Sequence, residues 1–150
     1  MIAVLGIGLA AFVVDWLTKC WVKSALIPNQ SLPVLDGFFH LTYVQNPGAA
    51  FGILAERTTF FVMVTAAVVV LILFFAARQR GAGWTLRLAL GMMLGGAMGN
   101  LLDRLRFGHV VDFLDFRIWP VFNMADTFIV LGVGLFLISM WRYSTDAAGR

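Results

Sequence analysis

Residues Thr58 to Ala77 read TTFFVMVTAAVVVLILFFAA, twenty positions in a row without a charge. A helix needs about 20 apolar residues to cross the hydrocarbon core of a bilayer. Inside lipid the backbone must satisfy its own N–H and C=O groups, so only helices and closed barrels can span. One such run therefore decides the class of fold, and three more follow. Met1–Val14 is apolar and continues to about residue 22 if Asp15 and Lys19 are tolerated. Leu88–Leu102 and Thr127–Trp141 are uncharged and extend backwards by about a turn. The reading is an all-α membrane protein, one domain over residues 1–150, built as a four-helix bundle with spans at about 3–22, 58–77, 85–103 and 124–141. Composition agrees: 61% of residues are hydrophobic and 13% charged, against about 45–50% and about 25% in soluble domains. Disorder is excluded by that hydrophobicity, and an internal disulfide by the single Cys20. The 11 Lys and Arg form no basic stripe, so no nucleic-acid partner is expected. The first segment lacks a basic leader region and a small-residue cleavage site, and it is read as a retained helix.

With four spans, both termini and the 78–83 linker share one side, and residues 23–57 and 103–123 share the other. Counting Lys and Arg near span ends gives five on the terminal side (Arg78, Arg80, Arg87, Arg142, Arg150) and six opposite, too even a split to set the orientation. Three Arg within 78–87 favour the termini inside. The acids are far less even. Asp15 lies late in the first span, Asp103 at the end of the third and Asp126 at the start of the fourth. Because chain direction alternates, all three fall toward one face. Asp36, Glu56, Asp112 and Asp115 join them, and only Asp146 lies with the termini. Membrane carboxylates are costly, so each is a functional candidate.

Each acid also has a plainer explanation. Asp15 and Lys19 have the i,i+4 spacing of a helical ion pair. Asp103 is followed by Arg104 and reads as a scaffold acid. Asp115 is expected to face water. Asp126 stands where a carboxylate can cap a helix. Asp112, within Val-Val-Asp-Phe-Leu, has apolar neighbours and no adjacent cation, a setting that raises a carboxyl pKa. Two carboxylates held close cannot both ionise and share a proton. The charged one can then activate water while the protonated one hydrogen-bonds a carbonyl. The best pair is Asp112 with Asp126, and Asp103 with Asp126 is second. His40 and His109 make no metal-ligand set. Cys20 is an isolated thiol, no nucleophile elbow is present, and no glycine-rich loop follows a strand. No metal or cofactor is expected. Two other readings stay open on these residues alone: a small four-span proton-coupled transporter, and a structural membrane subunit.

Five blocks occur in order along the chain: Asp15-Trp-Leu-Thr-Lys19; Asn46-Pro-Gly-Ala-Ala-Phe-Gly52; Gly95-Gly-Ala-Met-Gly-Asn100-Leu-Leu-Asp103-Arg104; Gly108-His-Val-Val-Asp112-Phe; and Phe122-Asn123-Met-Ala-Asp126. The set resembles the lipoprotein signal peptidase (signal peptidase II) family over essentially the whole chain. The resemblance implies an aspartyl endopeptidase of the bacterial plasma membrane. Its substrate would be a diacylglyceryl-modified prolipoprotein, cut just before the lipidated cysteine. It implies Asp112 and Asp126 as the catalytic pair, with Asn46, Asn100, Arg104 and Asn123 lining or bracing the site. Gly48, Asp103, Asp15 and Lys19 complete the supporting set. It further implies cytoplasmic termini, a site near the outer face, and a small β-cradle in the loop between helices 1 and 2. Membrane lipid and the prolipoprotein signal peptide are the expected partners, and a monomer suffices because every acid comes from one chain. The connection at 117–121 is short for the family.

Two local features fit this picture. Residues 38–45 alternate like a strand and end at the Asn46-Pro47-Gly48 turn signal. Gly91, Gly95 and Gly99 make two overlapping small-xxx-small steps, which let membrane helices approach closely. Phe51 and Trp119 are candidate interfacial anchors.

Overall fold

In a computed structural model, described over residues 1–48, 58–79, 81 and 83–148, the chain forms four helices and three strands. In chain order these are α1 (Ile2–Ala25), β1 (Ser31–Leu35), β2 (Phe39–Asn46), α2 (Thr58–Arg78), α3 (Trp84–Phe107), β3 (Val110–Asp115) and α4 (Met124–Ala148). All four helices are long and apolar enough to cross a membrane. Of the residues singled out above, Phe51, Gly52, Glu56, Arg80 and Arg150 lie outside the described set.

α3 is the hub. It buries residues around most of its circumference, from Leu86 to Asp103, whereas α2 buries only Val69, Ile72 and Ala76. The glycines explain the difference. A Cβ on Gly91 would stand 2.6 Å from Ile7, and one on Gly95 would run into the Gly8 carbonyl of α1. A Cβ on Gly96 would meet the Ala125 carbonyl of α4. Small residues on two sides of one helix thus let two neighbours seat against it, which matters because lipid supplies no hydrophobic drive between helices. Toward the termini, Val4, Val69, Ile72, Leu86, Leu90 and Leu94 close the apolar core.

The helices do not end level. Asp15, ten residues before the end of α1, accepts a hydrogen bond from Ala125 N, in the first turn of α4. At 1.5 Å per residue, α1 therefore runs on for about 15 Å past the start of α4. That extension is a post for the sheet: Val22 and Leu26 pack with Tyr43, Val111 and Phe113. Asp15 consequently sits deeper in its helix than a span ending near residue 22 would place it.

The sheet is antiparallel in the order β1-β2-β3. The first two strands come from the loop between α1 and α2, as expected. The third does not: β3 belongs to the α3–α4 connection and carries Asp112. Its residues Val110–Asp115 are nearly all buried, and such a short apolar run has no alternation by which to announce a strand. Pairing sets Asn46 opposite Val110 and Val44 opposite Asp112. Gly108, at φ 76°, ends α3 in the left-handed conformation that suits glycine. Its carbonyl accepts the Thr58 hydroxyl at 2.8 Å, tying the start of α2 to the same corner.

Candidate active site

At the sheet end of the bundle, three asparagines hold two carboxylates. Asn123 precedes α4 and makes a reciprocal cap with Asp126. Its Oδ1 accepts Asp126 N–H at 2.9 Å, and Asp126 Oδ2 accepts Asn123 N–H at 3.3 Å. This is a capping box with an acid at its third position. The same Asn123 turns its Nδ2 outward to Asp112 Oδ1 at 2.6 Å and to Asn100 Oδ1 at 3.1 Å. Asn100 Nδ2 in turn donates to Asp126 Oδ1 at 2.8 Å. From the sheet, Asn46 Nδ2 donates to Asp112 Oδ2 at 2.8 Å, a diagonal cross-strand contact made possible by the register. Asn46 Oδ1 is itself fixed by Gly48 N–H at 3.0 Å. Every oxygen of both carboxylates is thus held by an amide donor, and no cation touches either within hydrogen-bond reach among the described residues.

Behind this layer lies a buried ionic one. Lys19 is 2% exposed. Its ammonium reaches Asp15 at 2.8 Å, Asp103 at 2.9 Å and Asn100 Oδ1 at 3.0 Å, which uses all three of its donors. Asp15 also accepts Ala125 N–H at 2.8 Å, one of the free donors at the α4 N-terminus. Asp103 accepts Val111 N–H of β3 at 3.2 Å. Asp103 therefore pairs with Lys19 rather than with its chain neighbour Arg104. Of the three acids that the alternation of spans placed at one face, Asp15 and Asp103 meet at Lys19, and Asp126 is joined to them through Asn100.

Arg104 points the other way. It lines the cavity containing Asp112 and Asp126, lies 5.1 Å over the Phe61 ring and reaches the Gly48 carbonyl at 3.4 Å. That cavity has about 300 Å³ and is walled also by Asn46, Asn100, Trp119 and Phe122. Pro120 and Val121 join the wall. Their sequence context, an irregular five-residue connection, carries no chemical signature that could have singled them out.

Asp112 lies outside the spanning helices and is 2% exposed. Burial and the nearby Asp126 charge push its carboxyl up to about 7, against the opposing pull of the Asn46 and Asn123 donors. Asp115 departs from expectation. It does not face water but is buried at the far end of β3. Burial raises its pKa, but hydrogen bonds from Thr42 Oγ1 (2.7 Å) and Arg117 outweigh that and leave the carboxyl below its usual range. Among the described residues, no group of three or more His, Cys, Asp or Glu is placed to hold a metal ion.

Four membrane-spanning helices under a small sheet, with paired carboxylates at one end, define a multi-pass membrane enzyme. The fold matches two solved structures of bacterial membrane enzymes. One has a TM-score of 0.88 at 29% identity, covering 95% of this chain and 90% of that one. The other has a TM-score of 0.83 at 30% identity, covering 91% of each. The sequence profile of signal peptidase (SPase) II matches residues 7–142. A lipoprotein signal peptidase of Moorella thermoacetica is 54% identical over 91% of this chain and 89% of its own length. Those of Halothermothrix orenii and Nostoc punctiforme are 46% and 42% identical, over 89% and 93% of this chain and 92% and 90% of their own lengths. The chain belongs to the signal peptidase II family. Membership makes it a membrane-embedded peptidase, which favours proteolysis over the transporter and structural readings.

Proposed function

We propose that the protein removes signal peptides from diacylglyceryl-modified prolipoproteins, cutting before the lipidated cysteine, with Asp112 and Asp126 as the catalytic pair. The observation that carries this is the Asn123 bridge. One residue bonds both carboxylates, Asp112 through its side-chain amide and Asp126 through its backbone N–H, and so fixes them on the wall of one cavity. The relatives named for lipoprotein processing supply the substrate class.

The chemistry needs one proton between the two acids. Asp112, at about 7, is suited to hold it. Asp126, ionised, takes a proton from a water in the cavity, and the water oxygen attacks the scissile carbonyl carbon. The Asp112 acid hydrogen-bonds the carbonyl oxygen and donates its proton as that oxygen becomes negative. Collapse of the tetrahedral intermediate breaks the C–N bond. The proton that Asp126 took goes to the leaving amine, and Asp112 recovers its own. Asn46, Asn100 and Asn123 keep the carboxylates oriented without adding charge. Arg104 and Gly48 border the space for substrate backbone. Asp15, Lys19 and Asp103 hold the helices that present the asparagines. The acids come from one chain, so a monomer is sufficient. Termini in the cytoplasm and the site near the outer face of the bacterial plasma membrane suit a substrate arriving sideways from the bilayer.

The test is cleavage of a diacylglyceryl-modified prolipoprotein by purified protein in detergent. Asp112→Asn and Asp126→Asn should each reduce the rate by at least a hundredfold with melting behaviour preserved, in line with the 10²–10⁴-fold that acid–base groups contribute. A folded Asp112→Asn protein cutting at the parental rate would show that the pair is wrongly assigned.

A further inference from the structure

A second cavity of about 500 Å³ opens beside the first. The two share Trp119, Phe122 and Asp126, so they adjoin at one of the paired acids. Apart from Asp126, Thr127 and the indole N–H of Trp119, its walls are apolar. One wall is the outer face of α4, where Val130 is 69% exposed. The other is a set of rings: Phe116 packs edge-on against Phe38 at 5.7 Å and stacks on Phe122 at 5.9 Å. Beyond them Ile118 is 88% exposed, in a loop outside the spans. A large aliphatic side chain so exposed fits the edge of a bilayer better than bulk water. The groove thus runs from the carboxylate toward lipid along a single helix.

We propose that this groove seats an acyl chain of the substrate's diacylglyceryl group. The inference rests on the substrate class proposed above. Three features favour an acyl chain over the signal peptide itself. The groove offers almost no hydrogen-bond partners: the Thr127 hydroxyl is already bound to the Asn123 carbonyl at 3.0 Å. An extended peptide there would leave its amides unpaired, at about 1–3 kcal/mol each, whereas a hydrocarbon chain has none to satisfy. A helical peptide, 10–12 Å across, needs more than one helix face and a stack of rings to lie between. And the acyl chains hang on the cysteine at the cut, so a chain seated beside Asp126 also registers the scissile bond. Lipid tails are as apolar as the groove, so transfer from bilayer to groove gains little. The gain is positional, bringing the carbonyl to the carboxylates.

The prediction is a chain-length effect. Val130→Trp and Leu131→Trp narrow the groove, and neither position is one of the proposed catalytic or bracing residues. With a dipalmitoylglyceryl lipopeptide they should lower kcat/KM at least tenfold. With the same peptide carrying two butyryl chains they should stay within twofold of the parent. Equal effects on both substrates, or none on either, overturn the proposal. Because an introduced Trp can turn toward lipid, a second measurement is made on the parent: a diazirine midway along the acyl chain should label Phe116, Ile118, Val130 or Leu131. Labelling of α1 and α2 instead, or labelling of the groove by a probe in the signal segment, also overturns it. If the parent cuts neither substrate, the proposed function fails, while the labelling still decides the groove.

Discussion

Replacing Lys19 by Met tests whether the ionic layer is scaffold. The ammonium is shared by Asp15 and Asp103 at 2.8 and 2.9 Å, all three within a buried region. Removing one partner of a buried pair costs about 3–5 kcal/mol, because the other charge stays behind uncompensated. Here two carboxylates would be left, so the upper part of that range applies. For a chain of this size 1 kcal/mol moves Tm by about 2–4 °C, and Lys19→Met should therefore melt roughly 8–20 °C lower in detergent. Neutralising all three positions (Asp15→Asn, Lys19→Met, Asp103→Asn) removes the stranded charge. It keeps acceptors for Ala125 N–H and Val111 N–H, now met by the aspartates at 2.8 and 3.2 Å. Most of the lost stability should return, since exchanging a whole buried ionic set for neutral groups is often harmless. The assay is thermal unfolding of the three proteins in one detergent, followed by tryptophan fluorescence. If Lys19→Met melts within 2 °C of the parent, or the triple variant is less stable than the single, the ionic layer is not what holds these helices.

Three further outcomes follow from the same geometry. Asp112 carries the shared proton at about 7, so kcat/KM should hold below that pH and fall toward tenfold per unit above it; a rate flat from pH 6 to 9 would contradict the assignment. The folded protein keeps this proton over a range where the unfolded chain, near 3.8, has released it. Its stability contribution is therefore full below about 3.8 and is lost as pH rises through about 7. Asp112→Asn should abolish that slope in unfolding measurements. Gly99→Ala would drive a methyl into the Asp15 carboxylate, which Lys19 holds in place. Overpacking of this kind costs about 1–3 kcal/mol, whereas Gly6→Ala, with nothing within 4 Å, should leave Tm unchanged or raised.

Much of this architecture is legible in the residues. Uncharged runs near twenty residues announce helices because lipid allows almost nothing else, and the alternation of chain direction is enough to bring Asp15, Asp103 and Asp126 to one face. What stays hidden has one physical cause: contacts between distant segments leave no periodic trace. Asp103 stands next to Arg104 in sequence, and adjacency suggests a pairing that the helix forbids, since consecutive side chains point apart; its partner is Lys19, 84 positions away. β3 is buried too completely to alternate. Asp115 looks like a loop acid because nothing local reveals that Thr42 crosses the sheet to meet it. The extension of α1 beyond the bundle is masked because the apolar run gives out near residue 22, whereas the helix continues to Ala25, and Val22 within it and Leu26 just after it support the sheet.

The partners of the buried acids sort them into two kinds. Asp15 and Asp103 are tied to an ammonium and to backbone N–H groups at helix and strand starts. An ammonium at under 3 Å compensates a buried carboxylate where it stands, which suits a strut rather than a proton carrier. Asp112 and Asp126 are tied to amides, chiefly those of Asn46, Asn100 and Asn123. Amide donors fix direction without cancelling charge, so repulsion between the two carboxylates survives and a proton remains exchangeable between them. Asn100 joins the layers: its Oδ1 takes the Lys19 ammonium and its Nδ2 gives to Asp126. The cation thereby determines which way that amide faces, and the amide passes on orientation while keeping the ammonium away from the carboxylate. An Asn100→Asp substitution would present two acceptors where one donor is needed, placing a third negative charge against Asp126. Activity should fall much further than with Asn100→Ala at comparable Tm, and equal losses would mean that Asn100 acts only by filling space.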